Sequence, residues 1–176
     1  MLKKGVIRII LILLIVTLNI GCDQVSKTII RNKVSADESI EVIGNHLTVM
    51  RVENTGAFLS VGDSLPAAAK NILLSVLPLI ALIIGFGYIL TKKSITRVPL
   101  AGFCFIVGGG IGNIFDRMLY GSVTDFLHIQ AGAFHTGIFN MADVSIVTGT
   151  LIVLLHLLFK KNTPAPVAAV PTPDEL

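Results

Sequence analysis

Two aspartates, Asp125 and Asp143, are the residues whose type and setting most clearly permit chemistry. They lie in the segments VTDF (123–126) and FNMAD (139–143) of a chain in which only 14% of residues are charged. When two carboxyl groups come close together, repulsion and partial desolvation raise one pKa, so one group stays ionised while the other keeps its proton. The ionised group can take a proton from water, and the protonated group can donate to the carbonyl under attack. The pair therefore predicts hydrolysis of a peptide bond, with the amino end of the last helix favouring Asp143 as the ionised partner.

The composition is that of a membrane protein. Hydrophobic residues make up 53% of the chain, and its mean hydropathy is +0.82. A bilayer core about 30 Å thick requires roughly 20 apolar residues in a helix. Four runs approach this length, at about 5–21, 71–91, 98–115 and 138–159, with a kink expected at Pro78 in the second. The sequence therefore predicts an all-α membrane protein with four transmembrane helices.

Basic residues at the ends of these runs predict the orientation of the chain. They precede the first run, join the second to the third, and follow the fourth: Lys3, Lys4, Arg8; Lys92, Lys93, Arg97; Lys160, Lys161. Short cytoplasmic segments carry an excess of such residues, so both termini are expected in the cytoplasm. The segments at about 22–70 and 116–137 then lie on the outer side, and both aspartates reach that side.

The outer segment between helices 1 and 2 is expected to be rich in β-structure. Residues 40–52 alternate between apolar and polar types, with a turn expected at Gly44 and Asn45. Residues 1–161 are then predicted to form one membrane domain. The Pro- and Ala-rich residues 162–176 are predicted to be a disordered cytoplasmic tail.

Three other interpretations of the sequence fit less well. The basic residues form no stripe for nucleic acid. Cys22 and Cys104 imply neither a disulfide framework nor a metal site. A basic start, an apolar run and Gly21-Cys22 are typical of a cleaved lipoprotein signal peptide, but Asn19 stands where such peptides usually carry Leu, and three further spans follow. We therefore expect residues 1–21 to be retained as a membrane anchor. We also expect no cofactor.

Further polar clusters accompany the aspartates, and each also has a purely structural interpretation. Asp23 and Lys27, spaced i and i+4, could form an interfacial helix pair, and Asn54-Thr55-Gly56 could be only a turn. The remaining clusters have the following structural alternatives: a small-residue packing face at Gly108 and Gly112, mutual neutralisation of Asp116 and Arg117, and a helix cap formed by Asn140 and Asp143. These alternatives explain poorly why so many polar residues reach one side of an apolar protein.

Other functional classes remain open on the residues alone. His128 and His135 could join Asp125 in a metal site, although their spacing is unspecific and we expect no metal. A small ion- or proton-coupled transporter would also place carboxylates among its spans, and a scaffold would explain the glycines. The acids of a transporter would more often lie near the midplane of the membrane, and a scaffold gives no reason for the aspartate pair.

Taken together, the motifs resemble those of lipoprotein signal peptidase, the type II signal peptidase of bacteria. The resemblance covers residues of about 5–160 and rests on five blocks: DQVSK (23–27), NTGAF (54–58), GGIGNIFDR (109–117), VTDF (123–126) and FNMAD (139–143). The order and approximate spacing are those of the family. Each block alone is weak, whereas five in order are specific.

The resemblance implies an aspartyl endopeptidase that cuts prolipoproteins just before a diacylglyceryl-modified cysteine, at the outer face of the bacterial cytoplasmic (inner) membrane. Its catalytic residues would be Asp125 and Asp143. Residues implied to line the pocket and hold the substrate are Asn54, Gly56, Asn113, Arg117 and Asn140, and those implied to order the polar shell are Asp23, Lys27 and Asp116. The expected partners are lipid-modified prolipoproteins and membrane lipid, without nucleic acid, and we expect a monomer.

Overall fold

Four long helices dominate the computed structural model, which describes residues 4–44, 46–56 and 65–159. Within these ranges the helices are α1 (Lys4–Lys33), α2 (Ala67–Thr91), α3 (Arg97–Tyr120) and α4 (Met141–Phe159). Each is long and apolar enough to cross a membrane. The predicted class, a mostly helical membrane protein with four spans, is confirmed. Helix α1 continues well past its predicted end at Gly21, so Asp23 and Lys27 are helical residues.

Helix α2 has a local irregularity ahead of its proline. Ala67–Asn71 and Leu77–Thr91 are α-helical, and Ile72–Val76 between them is π-helical. Pro78 has no N–H to donate to the carbonyl of Leu74, and its ring crowds that carbonyl, so a wider turn relieves the conflict. The disturbance expected at Pro78 therefore takes the form of a π-helical turn.

Helix α3 is the central helix of the bundle. In its most apolar stretch, 50% of the residues are buried inside the protein. The corresponding shares in α1, α2 and α4 are 11%, 6% and 17%. A Cβ atom on Gly112 would lie 2.5 Å from Oδ2 of Asp23 on α1, and one on Gly109 would overlap the carbonyl of Ala142 on α4. The glycines therefore allow both neighbours to approach α3, as expected for a small-residue packing face.

A four-stranded antiparallel sheet covers one end of the bundle, called the sheet end below. Its strands are β1 (Ser39–Ile43), β2 (Leu47–Asn54), β3 (Val123–Ala131) and β4 (Phe134–His135), in the order β1-β2-β3-β4. The expected strands between helices 1 and 2 are present, with Gly44 at φ 48° in the turn; Asn45 lies outside the described residues. Strands β3 and β4 were not expected, and β3 carries Asp125.

The turn from α3 into β3 depends on Gly121. This residue has φ 73°, and its N–H bonds to the carbonyl of Arg117. A left-handed residue at this position ends a helix and reverses the chain without the penalty of a Cβ atom. The reversal brings β3 alongside β2, with Asn54 opposite Val123 and Val52 opposite Asp125.

Two apolar clusters hold these elements together. One lies within the bundle and includes Ile12, Val16 and Cys104. The other packs the sheet against the last turns of α1 through Ile30, Val34 and Phe126. The second cluster fixes the sheet over the ends of the helices, where the polar residues gather. The predicted tail, residues 162–176, and Ala57-Phe58 of the second motif lie outside the described residues.

Candidate active site

Six polar residues from four elements line one small cavity at the sheet end. Asn54 ends β2, Asp125 lies on β3, Asn113 and Arg117 are spaced i and i+4 on α3, and Asn140 and Asp143 begin α4; Val123 completes the lining. The cavity measures about 20 Å³, which is room for about one water molecule. The sequence separates these residues widely, and the fold gathers them around this one small space.

Asp125 is almost fully buried, and both of its oxygens accept hydrogen bonds. Nδ2 of Asn140 donates to Oδ1 at 2.6 Å, and Nδ2 of Asn54 donates to Oδ2 at 2.9 Å. Burial raises the pKa of Asp125 to about 6, and the charge of Asp143 adds to this rise. The two amide donors and Lys27 lower the pKa in part. Asp125 therefore keeps a proton to higher pH than an ordinary aspartate.

Asp143 is held at the amino end of α4. Nδ2 of Asn113 donates to its Oδ1 at 2.9 Å, and the backbone N–H of Asn140 donates to its Oδ2 at 3.2 Å. In return, the N–H of Asp143 donates to Oδ1 of Asn140 at 3.0 Å. This reciprocal pair is a capping box, so the structural interpretation of Asn140 and Asp143 holds. The box also fixes the carboxylate beside the cavity, so capping and a role in chemistry are compatible.

Asn140 joins the two carboxylates. Besides its bonds to Asp125 and Asp143, its Nδ2 donates to Oδ1 of Asn113 at 3.1 Å. The oxygen and both amide hydrogens thus have partners, and the direction of the side chain is determined. One asparagine therefore bridges β3 and the start of α4.

A buried ion cluster lies behind Asn113. The ammonium group of Lys27 is 2.8 Å from Oδ2 of Asp23 and 3.0 Å from Oδ2 of Asp116, and it donates to Oδ1 of Asn113 at 2.9 Å. The side chains of Lys27, Asp23 and Asp116 are fully buried. Because Lys27 fixes Oδ1 of Asn113 as an acceptor, Nδ2 of Asn113 must face Asp143. The i, i+4 pair of Asp23 and Lys27 is therefore present, but it is buried inside the protein and shares its charges with Asp116 and Asn113.

Asp116 and Arg117 do not neutralise each other. Asp116 pairs with Lys27 and with Arg31, whose Nη2 lies 2.9 Å from Oδ2 of Asp116. Arg117 instead donates to the carbonyl of Gly56 at 3.0 Å, and the N–H of Gly56 donates to Oδ1 of Asn54 at 2.9 Å. These bonds tie the chain after β2 to α3. Gly56 itself is buried and is not among the residues that line the cavity.

Helix α4 is also fixed from α1. Oδ1 of Asp23 accepts the backbone N–H of Ala142 at 2.9 Å. Free N–H groups at the start of a helix attract carboxylates, so Asp23 caps α4 from another helix. This contact ties the ion cluster to the turn that carries Asn140 and Asp143.

Sequence reasoning missed several members of this network: Gln24, Arg31, Glu53 and Thr124. Gln24 donates to Asp23 and Asp116, each at 3.1 Å, and Arg31 donates to Oγ1 of Thr124 at 2.7 Å. Arg31 follows Lys27 by four residues and Asp23 by eight, a helical spacing that could have revealed it had α1 been extended. Glu53 and Thr124 precede Asn54 and Asp125, but without β3 nothing linked them.

Two larger cavities adjoin the small one. A cavity of about 340 Å³ lies among α2, α3 and α4, is lined mainly by apolar side chains, and reaches Asn113, Arg117 and Asp143. A second, of about 710 Å³, lies between the first turns of α2 and the last turn of α3. Arg117 lines all three cavities. Among residues 4–44, 46–56 and 65–159, no three His, Cys, Asp or Glu side chains form a metal-binding group.

Four membrane-length helices with a buried polar site at one end are the architecture of an integral membrane protein. The family model described as Signal peptidase (SPase) II matches residues 14–159. The lipoprotein signal peptidase of Desulforapulum autotrophicum is 34% identical over 149 residues, which cover 84% of this chain and 91% of the relative. That of Moorella thermoacetica is 34% identical over 148 residues, with 83% and 91% covered.

Solved structures agree with these relatives. A bacterial membrane enzyme determined at 2.3 Å resolution superposes with a TM-score of 0.78 at 25% identity, covering 90% of this chain and 94% of that one. Another, at 1.9 Å, gives a TM-score of 0.74 at 26% identity, with 85% and 93% covered. The chain belongs to the signal peptidase II family, a family of aspartyl peptidases whose role is to remove signal peptides from prolipoproteins. The resemblance found from the motifs is confirmed.

Proposed function

We propose that this protein is an aspartic endopeptidase that removes signal peptides from diacylglyceryl-modified prolipoproteins, cutting just before the lipid-modified cysteine. Membership of the family supports the reaction. The observation that carries the assignment of Asp125 and Asp143 as catalytic residues is that both line one water-sized cavity, each held by two N–H donors.

The geometry supports a division of labour between the two aspartates. Asp143, which accepts two N–H bonds at the amino end of α4, is the ionised group and takes a proton from the attacking water. Asp125, whose pKa burial raises to about 6, donates its proton to the oxygen of the scissile carbonyl. The resulting tetrahedral intermediate collapses when Asp143 passes its proton to the amide nitrogen of the cysteine, the C–N bond breaks, and Asp125 regains a proton from a hydroxyl group of the intermediate. The water is consumed, and no covalent intermediate with the enzyme forms.

The surrounding residues bind and orient. Asn54, Asn113 and Asn140 hold the two carboxylates through the bonds described above. Arg117, which lines the cavity, would hold a backbone carbonyl of the substrate, and Gly56 would orient Arg117 by accepting its hydrogen bond. Asp23, Lys27 and Asp116 keep the asparagine amides in the orientation that the carboxylates need.

The substrate would reach this site from the membrane. Its acyl chains keep the modified cysteine at interfacial depth, and the apolar cavity of about 340 Å³ leads from among the helices to Asp143. The distribution of basic residues supports cytoplasmic termini, which would put the sheet end at the outer face of the inner membrane. We propose that the protein acts there as a monomer, with membrane lipid and prolipoproteins as its partners.

A cleavage assay with matched substrates tests this function. The purified protein in lipid vesicles would receive one prolipoprotein in two forms, with and without the diacylglyceryl group, and mass spectrometry would locate the cut. We expect cleavage of the modified form alone, directly before the cysteine and unaffected by a chelator. Equal cleavage of both forms would contradict the lipid requirement, and inhibition by the chelator would revive a metal site at His128 and His135.

A further inference from the structure

The last turn of α1 contacts the strand that carries Asp125 through a side chain that the proposed mechanism does not use. Nε of Arg31 donates to Oγ1 of Thr124 at 2.7 Å, and Nη2 lies 2.9 Å from Oδ2 of Asp116. The guanidinium carbon also lies 4.0 Å from the centre of the Tyr120 ring. Arg31 is therefore held by α3 and β3 together, through one hydrogen bond to Thr124, one ion pair with Asp116 and the contact with Tyr120.

Thr124 links Arg31 to β2 through its hydroxyl group. Its hydroxyl accepts from Arg31 and lies 3.0 and 3.1 Å from the two carboxylate oxygens of Glu53, to which it donates. Its backbone N–H donates to Oδ2 of Asp116 at 3.3 Å. The side chain is fully buried. Both roles of the hydroxyl are thus in use, and no other side chain of similar size except serine could fill them.

A second side-chain hydrogen bond joins β2 and β3 one residue further along each strand. Glu53 is opposite Thr124 in the ladder between β2 and β3, and the next residues, Asn54 and Asp125, bond to each other at 2.9 Å. Side chains alternate between the two faces of a strand. One face of the strand pair is therefore fixed to the helices by Arg31, while the other presents Asp125 to the cavity.

We propose that Arg31, acting through the Thr124 hydroxyl and Glu53, is a positioning residue that sets Asp125 against Asp143. The inference rests on the proposed catalytic role of Asp125. Asp143 is on α4 and Asp125 on β3, so their separation depends on how firmly β3 is held to the bundle. A displacement of about 1 Å at a reacting group can lower the rate a hundredfold.

Thr124→Val tests the inference, because valine keeps the shape of threonine and removes only the hydroxyl. We expect kcat to fall about tenfold with KM changed less than about twofold, and Thr124→Ser to restore kcat to within about twofold. The alkaline limb of the pH profile should move to lower pH, since a loosened strand admits water to Asp125. A role in stability alone would lower the thermal unfolding midpoint and leave kcat and the pH profile of the folded enzyme unchanged.

Ser122→Ala is the matched control. Ser122 also donates to Glu53, at 2.8 Å, but has no bond to Arg31. We expect its kcat to stay within about twofold of the wild type. An equal loss in Ser122→Ala, or wild-type kcat in Thr124→Val, would overturn the inference.

Arg31→Lys provides a second, independent test in case Thr124→Val folds poorly. Lysine keeps the charge beside Asp116 but loses the Nε–H that bonds to Thr124, so kcat should again fall about tenfold. The double variant with Thr124→Val should be no slower than the slower single variant. Additive losses would contradict a shared path. Asp125→Asn in the same assay keeps the two claims apart: if it retains activity, the proposed function fails, whereas an inactive Asp125→Asn beside a fully active Thr124→Val overturns only the positioning role.

Discussion

Asn140 donates its side-chain amide to Oδ1 of Asp125 at 2.6 Å while its side-chain oxygen accepts the backbone N–H of Asp143 at 3.0 Å. One residue thus joins the strand and the helix that carry the two carboxylates. Serine at this position would keep an oxygen able to cap α4 but would lose the amide donor. We predict that Asn140→Ser folds like the wild type and lowers kcat about a hundredfold. Steady-state kinetics beside a thermal unfolding curve would check this, and an unchanged kcat would contradict it.

The pKa of Asp125 predicts the pH dependence of cleavage. Burial raises this pKa to about 6, and the proposed mechanism needs the protonated form. The protonated fraction falls as pH rises through that value, so kcat/KM should decline on the alkaline side with an apparent pKa of about 6. A kcat/KM that stayed constant from about pH 5 to 8 would argue against Asp125 as the proton donor.

The sequence predicted the helical frame and the membership of the site better than it predicted the path of the chain. Hydropathy defines a span only to its last apolar residue, so the first helix was predicted to end at Gly21. In the structure α1 continues to Lys33, and its additional turns carry Asp23, Lys27 and Arg31. Strand β3 begins with the buried residues of Val123–Phe126, which lack the alternation used to recognise β1 and β2. Long-range pairing with β2 stabilises such a strand, and a local pattern does not report that pairing.

The polar contacts of the site were harder to predict than its residues. Asp116 lies on α3, yet its ion-pair partners, Lys27 and Arg31, lie on α1. Nearness in sequence suggested a pairing of Asp116 with Arg117, but successive residues point to different sides of a helix. The ion-pair partners of a buried residue therefore depend on which helices pack together. The glycines of α3 allow α1 to pack closely enough for this pairing.

Gly112 should tolerate no side chain. A Cβ atom there would lie 2.5 Å from Oδ2 of Asp23, so alanine must displace Asp23 from Lys27 and from the N–H of Ala142. We predict that Gly112→Ala lowers the free energy of unfolding by about 1–3 kcal/mol and reduces kcat. Gly85→Ala is the control, because a Cβ on Gly85 of α2 meets nothing within 4 Å. Thermal unfolding in detergent should leave Gly85→Ala at or slightly above the wild type, and equal losses in the two variants would contradict the packing role.

Removing the buried charge of Lys27 should be costly unless a carboxylate is removed with it. Lys27 and Arg31 balance Asp23 and Asp116 in the interior. Lys27→Met leaves one buried negative charge uncompensated, and we predict a loss of about 3–5 kcal/mol in unfolding free energy. Asp23→Asn in addition restores the balance, so the double variant should be more stable than Lys27→Met alone. A double variant that is less stable would show that charge balance is not the controlling factor.

The most direct test of the central claim is the turnover of Asp125→Asn and Asp143→Asn on a lipid-modified prolipoprotein. Asp37→Asn, an exposed aspartate in the turn before β1, serves as the matched control. We predict that each of the first two variants folds and loses activity by a factor of roughly 10⁴ or more, while Asp37→Asn cleaves at the wild-type rate. Wild-type turnover by a folded Asp125→Asn or Asp143→Asn protein would contradict catalysis by this pair.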